Sequence, residues 1–310
     1  PAAFSSDARK TLGLAIGDAE ARSPATLKLL RWRSGSTNTV TLTLETMGAY
    51  TATAPYNCPK SAKVLADGLQ YVYDNETAGR YSFGGITLLV TNNPTYRAKA
   101  QTIARALVPS AARMAEMMAD EKDDSGGLPA WERGHVLIFL TEYYLATRDS
   151  QVLPAIEAYA VNLAKNSSMF GTLGHGFADR NADGTANGPI TGGYGTVNTP
   201  ALFALLGLEL ALECGLTNPE IAPAIERASN FFAFHTDKGA IPYGDHEPFF
   251  QQHENNGKCG TSALAFMFQT NRVEEAKFFA KMCTASATER EHGHTGAFFN
   301  YVWAPLGAAA

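Results

Sequence analysis

The chain has 310 residues, 45% of them apolar, enough for a large core in one domain or a domain plus a fragment. A net charge of −5 with scattered basic residues leaves no electrostatic footprint for nucleic acid, and no apolar stretch is long enough to cross a bilayer. Four cysteines, Cys58, Cys214, Cys259 and Cys283, show no CxxC pairing, so buried free thiols, one disulfide or a single metal-binding cysteine are all open.

The chain opens PAAFSSDARK, without an initiator Met, which reads as a processed or internal start. An apolar stripe of Ala8, Leu12, Ala15, Ile16 and Ala19 predicts a helix over 5–21. Two β runs follow within 27–45, the second alternating strictly over Val40–Leu44, with SGSTN as the turn. A helix and a hairpin are too little for an independent domain.

From residue 60 the pattern turns helical. KSAKVLADGLQYVYDN is amphipathic, and 95–119 is a helical stretch that Pro109 breaks near Val108. Further helices are expected at 130–147, 153–166, 199–213, 219–234, 260–269, 273–286 and 295–303. Thr199-Pro200 and Asn218-Pro219 read as a cap before an N1 proline, and Gly215 as a C-terminal stop.

Five segments share one grammar: FGGITLLV (83–90), SGGLPAWERGHVLIFL (125–140), TGGYGTVNTPALFALL (191–206), NNGKCGTSALAFMF (255–268) and HGHTGAFFNYVW (292–303). Each is a Gly-rich loop, a few polar or aromatic residues, then an apolar helix, and a more amphipathic helix separates consecutive members. Helices apolar all round alternating with one-sided helices imply an inner and an outer layer, hence a mainly α fold, an α/α toroid formed as an incomplete ring of helical hairpins. If each inner helix is entered through its Gly-rich loop, the loops collect at one mouth. There His135, His175, Tyr194, Asn198, Asp245, His253, Glu254, Asn255, Lys258, Cys259, His292 and His294 would meet, and helix N-termini would favour anionic groups.

Three chemistries fit those residue types. Acid/base elimination or hydrolysis on a carbohydrate needs a proton acceptor, a donor for the leaving oxygen and a stabiliser of developing charge. His253 and His294 are the expected proton-transfer groups, Glu254 the acid or orienting carboxylate, Asn255 the stabiliser and Tyr194 a second donor. Trp131, Glu132, Arg133, His135, His175, Asn198, Asp245, Lys258 and His292 would bind substrate, the indole by stacking on a sugar. This chemistry needs no cofactor. The alternative is a zinc transferase using Asp245, Cys259 and His294. A non-catalytic envelope protein binding a glycan or peptide is the third. DRNADGTANGPI (179–190) opens like a calcium loop but has Ile190 where a glutamate is needed, so an ordinary turn is expected.

The string TLKLLRWRSGSTNTVTLTLETMGAYTATAPYNCPKS, WERGHVLIFLTEYYLATRD, GTLGHGF, GGYGTVN, HENNGKCG and EHGHTGAFFNYVWAPLGA resembles a bacterial family of unknown function. Its members join a PDZ-like domain to a toroid of the terpenoid-cyclase and prenyltransferase superfamily. The resemblance implies that residues 1–47 are the C-terminal part of a PDZ-like domain and 48–310 the toroid, and it brings no established reaction. The compartment stays open, with a secreted or periplasmic one preferred.

Overall fold

The computed structural model describes residues 8–78, 83–119, 127–189, 195–244, 257–285 and 298–310. The protein is mainly helical, with one small antiparallel sheet among the described residues. It divides into two compact units, one ending at Asn75 and the other beginning at Glu76. No described helix is long and apolar enough to cross a membrane.

In the first unit α1 (Ala8–Glu20) precedes β1 (Thr26–Arg33) and β2 (Ser36–Thr43). Arg33 pairs with Ser36, so the turn is Ser34–Gly35 alone, with φ of 50° and 79°. Two positive-φ residues match the twist of the strands better than the longer turn expected from SGSTN. Asn38 instead joins the ladder, accepting from Arg31 Nε at 3.2 Å. Helix α2 (Pro59–Asn75) belongs to this unit as well. The reason is a buried cation: Lys60, 2% exposed, donates to Glu20 Oε2 at 2.6 Å and lies over the Tyr50 ring.

The second unit contains α3 (Phe83–Leu89), α4 (Pro94–Ala106), α5 (Ala111–Met118), α6 (Pro129–Thr147), α7 (Leu153–Asn166), α8 (Asn198–Glu213), α9 (Ile221–Ala233), α10 (Lys258–Met267), α11 (Val273–Ala285) and α12 (Phe298–Ala309). The break at Pro109 is present, and Ser110 Oγ caps α5 by accepting from Arg113 N at 3.2 Å. Gly215, at φ 88°, ends α8 as expected, with Leu216 N donating to Ala211 O. Two expected details differ. Helix α8 begins one residue early, because Asn198 is drawn in by bonds to a neighbouring loop, and Thr199 does not cap. Helix α12 continues through Pro305 beyond residue 303.

Burial separates two kinds of helix. Residues 198–211 of α8 are buried without interruption, as are residues 133–141 of α6. Helix α9 buries only Ile221, Ala224, Ile225, Ala228, Ser229 and Phe232, a one-sided stripe at helical spacing.

Contacts along the buried helices give their directions. Phe83 meets His135 and Gly85 faces Phe139, so α3 and α6 run alike. Gly134 faces Phe203, Gly207 faces Leu137, and Cys214 Sγ reaches Thr141 O at 3.8 Å, so α8 follows α6 in the same sense. Gly257 lies against Phe299 and Gly260 against Trp303 and Ala304, which aligns α10 with α12. Gln269, just past α10, lies beside Glu209 near the end of α8, so these two also finish together. Gly257 and Gly260 let α10 and α12 approach backbone to backbone, while Gly85, Gly134 and Gly207 make room for the side chains of Phe139, Phe203 and Leu137. The rings of Phe83 in α3 and Trp303 in α12 stand 5.6 Å apart, joining the first of these helices to the last.

Candidate functional site

The first turn of α6 points two ways, since positions i and i+4 share a face. Trp131 and His135 face the interior, where Phe83, Phe203, Phe299 and Trp303 form an aromatic cluster. Trp131 is 4% exposed, so its ring packs against protein. Its Nε1–H donates to His175 Nδ1 at 3.0 Å, and Ala130 N donates to His175 O. The indole therefore holds His175 neutral with its proton on Nε2, which makes the half-buried ring a hydrogen-bond donor there. His135 is 2% exposed, and its Nδ1 lies 2.7 Å from Trp131 O, within the helix. Burial pushes its pKa down to about 4, so this imidazole is a neutral part of the cluster.

The starts of α8 and α10 are fastened by neighbouring loops. Asn198 N donates to Tyr243 O at 2.9 Å, and its side-chain amide donates to the carbonyls of Pro242 and Gly244 at 2.9 and 3.2 Å. Val197 N likewise donates to Leu173 O at 2.8 Å. Gly257, at φ 76°, leads into α10, whose first two side chains, Lys258 and Cys259, are completely buried. An ammonium at that depth beside a helix N-terminus persists only with compensating acceptors. Burial pushes the Cys259 thiol up to about 11. All four cysteines are free thiols, and the described residues contain no group of three His, Cys, Asp or Glu side chains able to hold a metal.

The other face of α6 carries Glu132 and Arg133 into a cleft of about 430 Å³ shared with Arg113 of α5 and Tyr159 of α7. Arg133 is 8% exposed, donates through Nη1 to Asn162 Oδ1 and lies 4.7 Å from the Phe177 ring centre. Asn162 is fixed in turn by donating to Met117 O at 2.9 Å. Burial raises the Tyr159 phenol above its ordinary range. Arg113 and Tyr159 escape sequence reading because each sits on an amphipathic helix with no glycine or motif beside it. Only the packing of α5 and α7 brings them to Arg133.

Tyr194, Asp245, His253, Glu254, Asn255, His292 and His294 lie outside the described residues. Of the expected site residues, the structure brings together Trp131, His135 and His175, and separately Glu132 and Arg133. Asn198 joins Gly244, which precedes the segment carrying His253, while Gly257, which follows that segment, lies against Phe299. The calcium-like loop is bonded to itself: Asp183 Oδ1 accepts from Thr185 N at 3.0 Å and Oγ1 at 2.6 Å, which holds this carboxyl below its ordinary pKa.

A family model described as "Domain of unknown function (DUF6288)" matches residues 61–310. No curated protein and no solved structure matches the chain.

Proposed function

The chain belongs to the DUF6288 family, and we propose that its second unit is an α/α toroid that acts on an anionic polysaccharide by acid/base elimination. The toroid reading rests on the common direction of α3, α6, α8, α10 and α12, the helices returning between them, and the Phe83–Trp303 contact that links first to last. The site reading rests on one observation above all: described residues flanking the histidine-bearing segments lie where these helices start.

Helix starts sharing one end give that end a positive potential. The neighbouring cleft contributes the Arg113 and Arg133 guanidinium groups, with Glu132 beside them. Such surroundings suit a sugar carrying a carboxylate. In the elimination, His253 or His294 removes the proton from the carbon beside the uronate carboxylate. The electron pair forms the new double bond as the glycosidic C–O bond breaks, and Tyr194 or Glu254 protonates the departing oxygen. Asn255 and the Nε2–H of His175 stabilise the enolate charge that builds up between those steps.

The test is incubation of purified protein with a panel of uronate-containing polysaccharides, followed by ultraviolet absorbance of an unsaturated product and by release of reducing ends. Absorbance should rise with at least one substrate, and His253→Ala should lower the rate by about 10²–10⁴-fold. Reducing ends without unsaturation would replace elimination by hydrolysis. Retention of a glycan with no product from any member would replace the enzyme by a binding protein.

A further inference from the structure

A second cavity, of about 620 Å³, lies where α10 finishes and α11 begins. Within α11, Val273, Ala276 and Ala280 recur at i, i+3 and i+7, and Lys277 and Lys281 at i+4 and i+8 line the same cavity. Small apolar side chains therefore leave a slot, and Phe266, stacked on Phe279 at 5.8 Å, supplies its floor. Apolar surface stays open to water along it: Met267 is 53% exposed and Val273 47%. A soluble protein leaves such surface uncovered most readily where something binds.

Lys277 and Lys281 are the only charged side chains among the described lining residues, and the last residue, Ala310, also lines the cavity. Lys277 is 2.8 Å from Glu274 Oε1, and Lys281 stands one turn further along. Gln269 provides a fixed polar wall, because its Nε2 donates to Ser229 Oγ at 2.7 Å. A volume within the usual range for small-molecule sites, mostly apolar walls and a basic rim select an amphiphile with an anionic head.

We propose that this cavity binds an aliphatic monocarboxylate, its chain lying over Phe266, Val273, Ala276 and Ala280 and its carboxylate on Lys281. The site is independent of the polysaccharide reading and stands or falls without it.

The experiment is calorimetric titration of the full chain with octanoate, decanoate and dodecanoate below their micelle concentrations, with decanol as the uncharged control. Each added pair of methylenes should tighten binding about tenfold until the slot is full. Decanol should bind about tenfold more weakly than decanoate, and Lys281→Gln should erase that difference. Ala280→Phe should abolish binding of both, with unchanged circular dichroism and melting showing that the half-buried position tolerates the ring. No decanoate binding, equal affinity for decanol, or affinity untouched by both substitutions overturns the proposal. Self-association that Ala280→Phe abolishes, without decanoate binding, would assign the surface to a second copy of the chain and overturn it as well.

Discussion

Where the buried helices start, backbone approaches backbone: Gly257 lies on Phe299, Gly260 on Trp303, and Asn198 ties α8 to the carbonyls of Pro242 and Gly244. Where they finish, side chains do the joining. Gln269 donates to Ser229, the buried Glu209 carboxyl lies nearby, and a cavity stays open beside α11. Between α10 and α12 the starting end is therefore fixed by main-chain contacts that no side-chain rearrangement can relieve. The finishing end is fixed by side chains, and one carboxyl among them titrates. A site needing its groups held within a fraction of an ångström belongs at the first end, and a site that adapts to its ligand belongs at the second.

The largest expected effect breaks the starting end. A methyl group on Gly260 would collide with the carbonyl of Trp303, and both partners are main chain. Gly260→Ala should cost about 3 kcal/mol or more even though alanine favours a helix interior by about 1 kcal/mol. Urea unfolding followed by circular dichroism measures it. A cost below the helix-propensity gain would mean that α10 and α12 are not held by close approach.

The next effect separates the ends by charge. Glu209 is 4% exposed, and burial raises its carboxyl from 4.5 to about 7. A raised acid binds its proton more tightly when folded, so its contribution is complete below about 4.5 and lost as pH rises through about 7. Glu209→Gln should thus stabilise the protein by about 1–3 kcal/mol above neutrality and by nothing in acid. His135, at the starting end, works the other way. Its pKa falls from 6.5 to about 4, so stability is lost as pH drops across that interval. Thermal unfolding of Glu209→Gln and of His135→Gln across pH should show deviations from the parent of opposite slope. Parallel curves would show that the ends do not differ in this respect.

These two residues also show what the sequence disclosed. The unbroken apolar run of α8 announces a helix buried all round, and a lone glutamate inside it at 209 is visible as an anomaly. Glycine-flanked His175 and the i, i+4 pair Trp131–His135 are equally visible, because backbone periodicity decides them. The depth of His135 and Trp131 is not visible. It comes from Phe83, Phe203, Phe299 and Trp303, which arrive from three other helices. Thr199-Pro200 misled for a similar reason: the local cap lost to Asn198, whose amide found two carbonyls more than forty residues away.

A smaller effect sharpens the starting end alone. Trp131→Phe keeps the ring in the aromatic cluster and removes the bond to His175 Nδ1. The loss should be about 1–2 kcal/mol. Urea unfolding followed by circular dichroism measures it, and an unchanged stability would show that the bond to His175 contributes nothing.

The smallest effect is the counterpart of the first. Gly215 has open space around it, with no atom within 4 Å of an added Cβ, but its φ of 88° lies in the left-handed region. Gly260 is the reverse, an ordinary helical residue with no space. Gly215→Ala should therefore cost only about 1 kcal/mol, all of it backbone conformation. The same atom added at the two ends of the molecule then measures two different things. Adding the helix-propensity gain of about 1 kcal/mol back to the cost of Gly260→Ala gives what tertiary approach contributes at the starting end. If Gly260→Ala instead stabilised the protein by about that gain, the contrast between a rigid end and an adaptable one would have no energetic basis, and α10 would owe its position to its loops rather than to α12.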